Sequence, residues 1–182
     1  NDPDPSGVQY AELRKFLMER PEIELVWIDY SSMPQGNRTE KEKSEFKTML
    51  PNINLIYLSS HVLIIMDSSY FSRFWTLFEA WLSMQSVTSD GLLPSSEEHQ
   101  RSTIVCIHNA VMEFDGEKLK RTWKDRTPKE AYAVLASNDI QVTNAKDKES
   151  QLPKLLRLDE FAVAQFAAGS IHRALSVELL EA

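Results

Sequence analysis

Two short runs of apolar residues constrain the fold more than any other feature of this chain. They cover residues 61–66 (HVLIIM) and 103–107 (TIVCI), and neither alternates regularly between apolar and polar positions. A strand that is apolar along its whole length is covered on both faces, which is typical of parallel sheets with helices packed on each side. The two runs therefore predict an α/β fold.

The segments around these strands carry the spacing of amphipathic helices. We predict helices over residues 8–19, 39–50 and 68–86, another turn or two over residues 53–58, a helix that opens at Pro128, and a helix from Asp159 onwards. The last helix is predicted to present one apolar stripe: Phe161, Ala164, Ala168, Ile171, Leu175 and Leu179. Residues 24–30 and 140–143 are predicted as short strands, and residues 88–102 as a polar loop.

Helices and strands thus alternate along the chain, beginning and ending with a helix. This order favours a three-layer α/β fold with a doubly wound, mostly parallel sheet of flavodoxin-like order. Because such a sheet normally starts with a strand, we expect its first strand upstream of residue 1. A length of 182 residues corresponds to one domain, so we interpret residues 1–182 as a single domain and as a module of a longer protein.

The composition narrows the classes of partner. The net charge is −7, and an acidic chain is a poor general binder of nucleic acids. The basic residues 118–129 surround Trp123, and they form either a phosphate-binding patch or a solvated face with Trp123 turned inward.

The single cysteine, Cys106, and four scattered histidines predict no metal site. With no apolar run of membrane-spanning length and no signal peptide, we expect a cytoplasmic protein without membrane contact.

Residues 68–85 (SSYFSRFWTLFEAWLSMQ) are the strongest candidate for a catalytic or ligand-binding segment. On a helix, one side carries Phe71, Phe74, Phe78, Trp81 and Leu82, and another carries Ser72, Trp75, Thr76, Glu79 and Ser83. A carboxylate beside an indole loses solvation, and in this way a Glu becomes a usable acid, base or hydrogen-bond partner for a sugar hydroxyl. The alternative is that Glu79 is a solvated residue on an amphipathic helix.

A second candidate segment covers residues 27–38 (WIDYSSMPQGNR). Open parallel sheets bind ligands beyond the carboxyl ends of their strands, which predicts a site near residues 29–35, 67–73 and 108–110. Asp29 falls at the end of the predicted strand 24–30, so it can contact a ligand there. It can equally cap the following loop through backbone hydrogen bonds.

Both segments resemble the motifs of a known pair of families. Residues 27–29 (WID), followed by residues 33–35 (MPQ), resemble the opening motif of fungal heterokaryon-incompatibility (HET) domains. Residues 73–79 (RFWTLFE), preceded by Tyr70, are similar to the second HET motif, and residues 49–65 to the segment between them. HET domains are relatives of the Toll/interleukin-1 receptor (TIR) fold, and Trp75 and Glu79 match the Trp and Glu that TIR domains place four residues apart on a helix. The resemblance covers about residues 8–85.

This resemblance implies an enzyme of signalling and innate immunity, since many TIR domains hydrolyse or cyclise NAD. Glu79 matches their catalytic residue, which holds the ribose next to nicotinamide and stabilises an oxocarbenium-like transition state. Ser72 and Trp75 would shape the pocket, and the loop over residues 31–38 would gate it. The resemblance adds Asp29, Tyr30 and Arg73 as substrate contacts, with NAD as substrate and no resident cofactor.

Other TIR and HET domains only assemble with each other or with partner proteins. Two alternatives to the enzyme therefore stay open. One is a non-catalytic module that self-associates or recruits other protein domains. The other is a nucleotide binder that performs no chemistry.

Overall fold

The computed structural model describes residues 3–142 and 145–167. The chain divides into two compact units, Asn1–Ile56 and Tyr57–Ala182. The helices are α1 (Val8–Met18), α2 (Asp29–Ser32), α3 (Glu40–Met49), α4 (Ile53–Ser59), α5 (Phe74–Ser83), α6 (Glu117–Trp123), α7 (Pro128–Leu135) and α8 (Ala145–Ala167). The strands are β1 (Val62–Met66), β2 (Gln85–Thr88), β3 (Gly91–Pro94) and β4 (Ser102–Cys106). None of the helices in the described ranges is long and apolar enough to cross a membrane.

The first unit is helical and confirms the helices predicted over residues 8–19 and 39–50. Thr39 begins α3 with a capping box: its hydroxyl accepts from the Glu42 backbone N–H at 3.3 Å, and the Glu42 carboxylate accepts from the Thr39 N–H at 2.7 Å. This reciprocal pair satisfies two backbone donors that a helix start leaves open. A 3₁₀ turn at Leu50–Asn52 then leads into α4, as predicted for residues 53–58.

The prediction of a strand over residues 24–30 is wrong. Residues 23–28 form no β-ladder within the described part of the chain, and Asp29 already begins the single turn of α2. Leu25 is 90% exposed and Val26 45% exposed. β-branched and aromatic residues favour a strand only where a neighbouring strand supplies hydrogen bonds and packing, and no described strand does so here.

The second unit contains a small parallel sheet and has a mixed α/β character. Strands β1 and β4 pair in parallel, with Val62 opposite Ser102 and Met66 opposite Cys106. Strands β1 and β4 coincide with the two apolar runs, so the prediction that these runs form strands is confirmed. Residues 140–143, predicted as a strand, contribute one parallel bridge between Gln141 and Arg73, and Thr143 lies outside the described residues.

Between β1 and β4 the chain differs from the prediction of one helix and one loop. A 3₁₀ turn at Tyr70–Ser72 precedes α5, because Arg73 is extended (φ −103°, ψ 126°) and separates the two. The helix ends at Ser83, and β2 and β3 then form an antiparallel hairpin where part of the polar loop was predicted. Gly91 opens β3 with φ 110°, a conformation that glycine adopts without steric cost.

The last helices surround the buried centre of this unit. A π-helical turn at Met112–Gly116 leads into α6, and α8 begins at Ala145, well before the predicted Asp159. The predicted apolar stripe on the last helix is not buried where it is described, because Phe161 and Ala164 are exposed and Ala162 is the buried residue between them. The other members of the stripe lie outside the described residues: Ala168, Ile171, Leu175 and Leu179. The largest fully buried side chains come from several elements: Met66, Phe74, Phe78, Trp81, Leu82, Leu119, Trp123, Leu135 and Leu155.

Candidate functional site

The candidate site lies at the carboxyl edge of the parallel sheet. The backbone N–H of Ile107 donates to the Met66 carbonyl at 2.9 Å, which extends the pairing of β1 and β4 by one residue. The loops that follow, over residues 67–73 and 108–110, therefore leave the same edge of the sheet. This is where open parallel sheets bind ligands, and it is where the sequence predicted two of the three candidate segments.

Asp67 organises the first of these loops. Its Oδ1 atom accepts hydrogen bonds from the Ser69 N–H at 3.0 Å and from the Ser69 hydroxyl at 2.7 Å. The Ser72 hydroxyl donates to the Ser69 carbonyl at 2.7 Å, so this predicted substrate contact stabilises the turn in the present structure. The Arg73 Nη2 atom lies 3.5 Å from Asp67 Oδ1, a long contact between two partly exposed side chains.

The backbone on either side of Arg73 is held by Gln141. The Gln141 N–H donates to the Ser72 carbonyl at 2.6 Å, and the Phe74 N–H donates to the Gln141 carbonyl at 2.8 Å. These two hydrogen bonds keep Arg73 extended at the start of α5. Its side chain remains 49% exposed, so the guanidinium is placed at the surface by a backbone that is fixed on both sides.

Tyr70 is a buried member of this site that the sequence indicated only as part of a motif. Its side chain is 6% exposed, and its ring centroid lies 5.7 Å from the Arg73 guanidinium carbon. Burial raises the pKa of the Tyr70 phenol, the Glu79 carboxylate raises it further, and the Arg73 charge lowers it. Arg73 and Glu79 therefore both act electrostatically on one buried phenol.

Glu79 and Trp75 lie one turn apart on α5, and both are half-buried. Trp75 packs edge-on against Phe74, with ring centroids 5.6 Å apart, and contacts Phe78 at 6.3 Å. The buried side of α5 includes Phe74, Phe78, Trp81 and Leu82, as the helical spacing predicted. Phe71, predicted on the same side, lies instead in the 3₁₀ turn before α5 and is half-buried. The indole thus forms the border between the core and the face that carries Glu79.

The predicted polar stripe on this helix needs two corrections. Ser72 belongs to the 3₁₀ turn before α5, because the extended Arg73 interrupts the helical path, so it does not continue the stripe of Glu79. Ser83 is fully buried, and its hydroxyl donates to the Ala80 carbonyl at 2.8 Å. A hydroxyl that bonds its own helix backbone can be buried without the cost of an unsatisfied polar group.

Asp29 and Tyr30 belong to the first unit, whereas Ser72, Arg73, Trp75 and Glu79 belong to the second. The Asp29 carboxylate accepts a hydrogen bond from the Tyr30 N–H at 2.7 Å, and its backbone carbonyl accepts from the Gln35 side chain at 3.1 Å. Asp29 therefore makes local backbone hydrogen bonds, which were the predicted alternative to ligand contact. Both Asp29 and Tyr30 are exposed.

The basic segment 118–129 presents a largely solvated surface. Trp123 is 1% exposed, which confirms that it turns inward. Lys120 pairs with Glu117 at 2.9 Å and Arg126 lies 3.9 Å from Glu130, so two of the basic side chains are already balanced by acidic neighbours. These observations favour the solvated face over a phosphate-binding patch.

Residues 3–142 and 145–167 offer little support for a metal site or for a second ligand site. No group of three or more His, Cys, Asp or Glu side chains there is arranged to hold a metal ion. An open concavity is lined by residues of α1 and Glu19 at its end, including Tyr10, Arg14 and Met18, and it contains none of the predicted site residues. Lined by one helix, it lacks the converging polar groups typical of a ligand site.

Comparisons of the chain with protein-family models, with curated proteins and with solved structures found no match.

Proposed function

We propose that this chain is a TIR/HET-like signalling or defence domain that cleaves NAD and releases nicotinamide, with Glu79 as the catalytic carboxylate. One observation carries the proposal: Glu79 and Trp75 lie half-buried and one turn apart on the helix that follows a parallel strand. The proposed fold is a three-layer, doubly wound sheet to which β1 and β4 contribute. The proposed location is the cytoplasm.

In the proposed reaction, the Glu79 carboxylate accepts hydrogen bonds from the hydroxyls of the ribose next to nicotinamide. As the bond between ribose C1′ and the nicotinamide nitrogen breaks, its electron pair leaves with neutral nicotinamide and positive charge develops on the ribose. A half-buried carboxylate stabilises that charge more strongly than a solvated one, because fewer water molecules screen it. Water then adds to C1′ and loses a proton, giving ADP-ribose.

Some of the remaining proposed substrate contacts are supported by the structure, and others only by the resemblance. Trp75 supplies an apolar wall beside Glu79, and Arg73 supplies a half-exposed positive charge on the loop before the same helix. Ser72 lies beside Arg73, although its hydroxyl is bonded within the turn. Asp29 and Tyr30 are proposed as substrate contacts on the resemblance alone.

The proposal is tested by measuring nicotinamide release from NAD with the purified full chain at high protein concentration. Wild type is compared with Glu79→Ala and Glu79→Gln, each checked for folding by circular dichroism. Release should fall at least a hundredfold in both variants, because removing a group that stabilises transition-state charge costs about 10²- to 10³-fold in rate. A matched control, Lys120→Ala with Arg121→Ala in the basic segment, should retain activity.

Release that is absent from wild type, or that persists in both Glu79 variants, would contradict the enzyme proposal. A non-catalytic module that self-associates or binds other protein domains would then be the better supported function. An exposed apolar segment of the first unit favours this second function, with Leu25 90%, Val26 45%, Ile28 42% and Tyr30 50% exposed. Nucleotide binding without chemistry is the remaining alternative, and it rests on the carboxyl-edge loops alone.

A further inference from the structure

The residue that follows Ile107 has a left-handed backbone conformation, which histidine adopts more often than most other non-glycine residues. His108 has φ 53°, in the left-handed region that favours glycine. The Ala110 N–H donates to the Ile107 carbonyl at 3.1 Å, so His108 occupies the second position of a closed turn. The imidazole is exposed. A closed turn thus presents this exposed side chain at the carboxyl edge of the sheet.

This turn leaves the sheet beside the loop that carries Arg73. Adjacent strands lie about 4.8 Å apart, and the hydrogen bond between Ile107 and Met66 shows that pairing continues to the ends of β1 and β4. Asp67 comes directly after Met66, and His108 directly after Ile107. The two loops therefore start side by side at the carboxyl edge.

Arg73 has spare hydrogen-bonding capacity toward this edge. A guanidinium has five N–H donors, and the ion pair of Arg73 with Asp67 is a single contact of 3.5 Å. The same Asp67 oxygen is bound by the N–H and the hydroxyl of Ser69. The carboxylate is thus held within its own turn, where it orients Arg73 and leaves most of the guanidinium donors available to a ligand.

We propose that Arg73 and His108 form an anion subsite that binds the diphosphate of a dinucleotide. A guanidinium matches two phosphate oxygens at once, and an imidazole donates an N–H whether it is neutral or protonated. The inference rests on the proposed function for the identity of the dinucleotide. It goes further by assigning the diphosphate to one edge of the sheet and by giving His108 a role.

The test compares ADP with adenosine, which differ only by the diphosphate, in calorimetric titrations of the full chain. ADP should bind at least tenfold more tightly than adenosine. Arg73→Gln and His108→Gly should each weaken ADP binding at least fivefold and leave adenosine binding unchanged. Equal affinity for the two compounds, no binding of ADP, or unchanged ADP affinity in both variants would overturn the proposal.

His108→Gly also separates binding from folding. Glycine adopts φ 53° freely, so this variant should have a Tm equal to or above that of wild type while it loses ADP affinity. Asp125→Gly is the matched control, because Asp125 is exposed, has φ 59° and lies outside the proposed subsite. It should gain stability in the same way and keep its ADP affinity within twofold of wild type.

Glu79→Ala distinguishes failure of this inference from failure of the proposed reaction. If the chain does not cleave NAD but binds ADP through Arg73 and His108, the reaction is contradicted and the anion subsite stands. If NAD cleavage depends on Glu79 while both subsite variants bind ADP like wild type, the reaction stands and the subsite is overturned.

Discussion

Tyr70 and Thr76 bind each other's backbone in a reciprocal pair of hydrogen bonds. The phenol of Tyr70 donates to the Thr76 carbonyl at 3.0 Å, and the Thr76 hydroxyl donates to the Tyr70 carbonyl at 2.9 Å. Tyr70 lies in the 3₁₀ turn and Thr76 in the first turn of α5, so the pair joins the loop to the helix. Arg73, which lies between them, is held in place by both.

Removing either side chain of this pair should destabilise the second unit. Tyr70→Phe and Thr76→Val should each lower the free energy of unfolding by about 1 kcal/mol, the typical net value of a protein hydrogen bond. The double variant should lose less than the sum, because each change loosens the same loop. Urea denaturation of the four proteins measures this coupling. Two single variants as stable as wild type would contradict it.

Tyr70 should also make stability depend on alkaline pH. Its pKa is raised above the usual 10.0 by burial and by the Glu79 carboxylate, so the folded state binds the phenolic proton more tightly than the unfolded state does. Its contribution is therefore fully present below pH 10 and decreases as the pH rises above 10. The stability difference between wild type and Tyr70→Phe should shrink between pH 8 and pH 11. A constant difference across this range would show that the phenol titrates normally.

The hairpin of β2 and β3 depends on glycine at position 91. Gly91 has φ 110°, and a Cβ atom there would overlap the carboxylate of Asp159, which accepts a hydrogen bond from the Leu92 N–H at 2.7 Å. Gly91→Ala should therefore cost about 2 kcal/mol or more, because it combines backbone strain with loss of this contact. In an Asp159→Ala background the cost should fall, since the clash is gone. An equal cost in both backgrounds would assign the effect to backbone strain alone.

Two fully buried tryptophans offer a matched comparison. The Trp81 Nε1 atom donates to the Arg126 carbonyl at 3.2 Å, whereas Trp123 Nε1 has no hydrogen-bond partner among the described residues. Trp81→Phe and Trp123→Phe both remove similar buried volume, but only the first breaks a hydrogen bond. Trp81→Phe should therefore cost about 1 kcal/mol more in denaturation experiments. Equal costs would mean that the indole N–H of Trp81 contributes nothing net.

The parts of the fold that follow local rules were accessible from the sequence. Residues 61–66 and 103–107 are apolar throughout and form β1 and β4. Pro128 opens α7 because proline fits the first turn of a helix and Thr127 before it supplies the cap. The spacing that placed Phe74 and Phe78 on one side of α5 and Glu79 on another also holds.

The parts that depend on distant partners were not accessible. Residues 24–30 have the composition of a strand but no described strand to pair with, so composition alone led to a wrong prediction of secondary structure. The hairpin of β2 and β3 is an exception, because Asp90 and Gly91 carry a local turn signal that the prediction of a polar loop overlooked. The single bridge of Gln141 to Arg73 depends on a pairing that no local pattern encodes.

Sequence alone determined the mixed α/β class, because burial on both faces selects apolar residues at every position of a strand. It also determined that Trp75 and Glu79 share a helix face. Tertiary structure decided where α5 begins, that Gln141 holds the backbone on either side of Arg73, and that Ile107 pairs with Met66 at the carboxyl edge. These depend on hydrogen bonds between segments far apart in the chain, and a one-dimensional pattern of apolar residues carries no record of them.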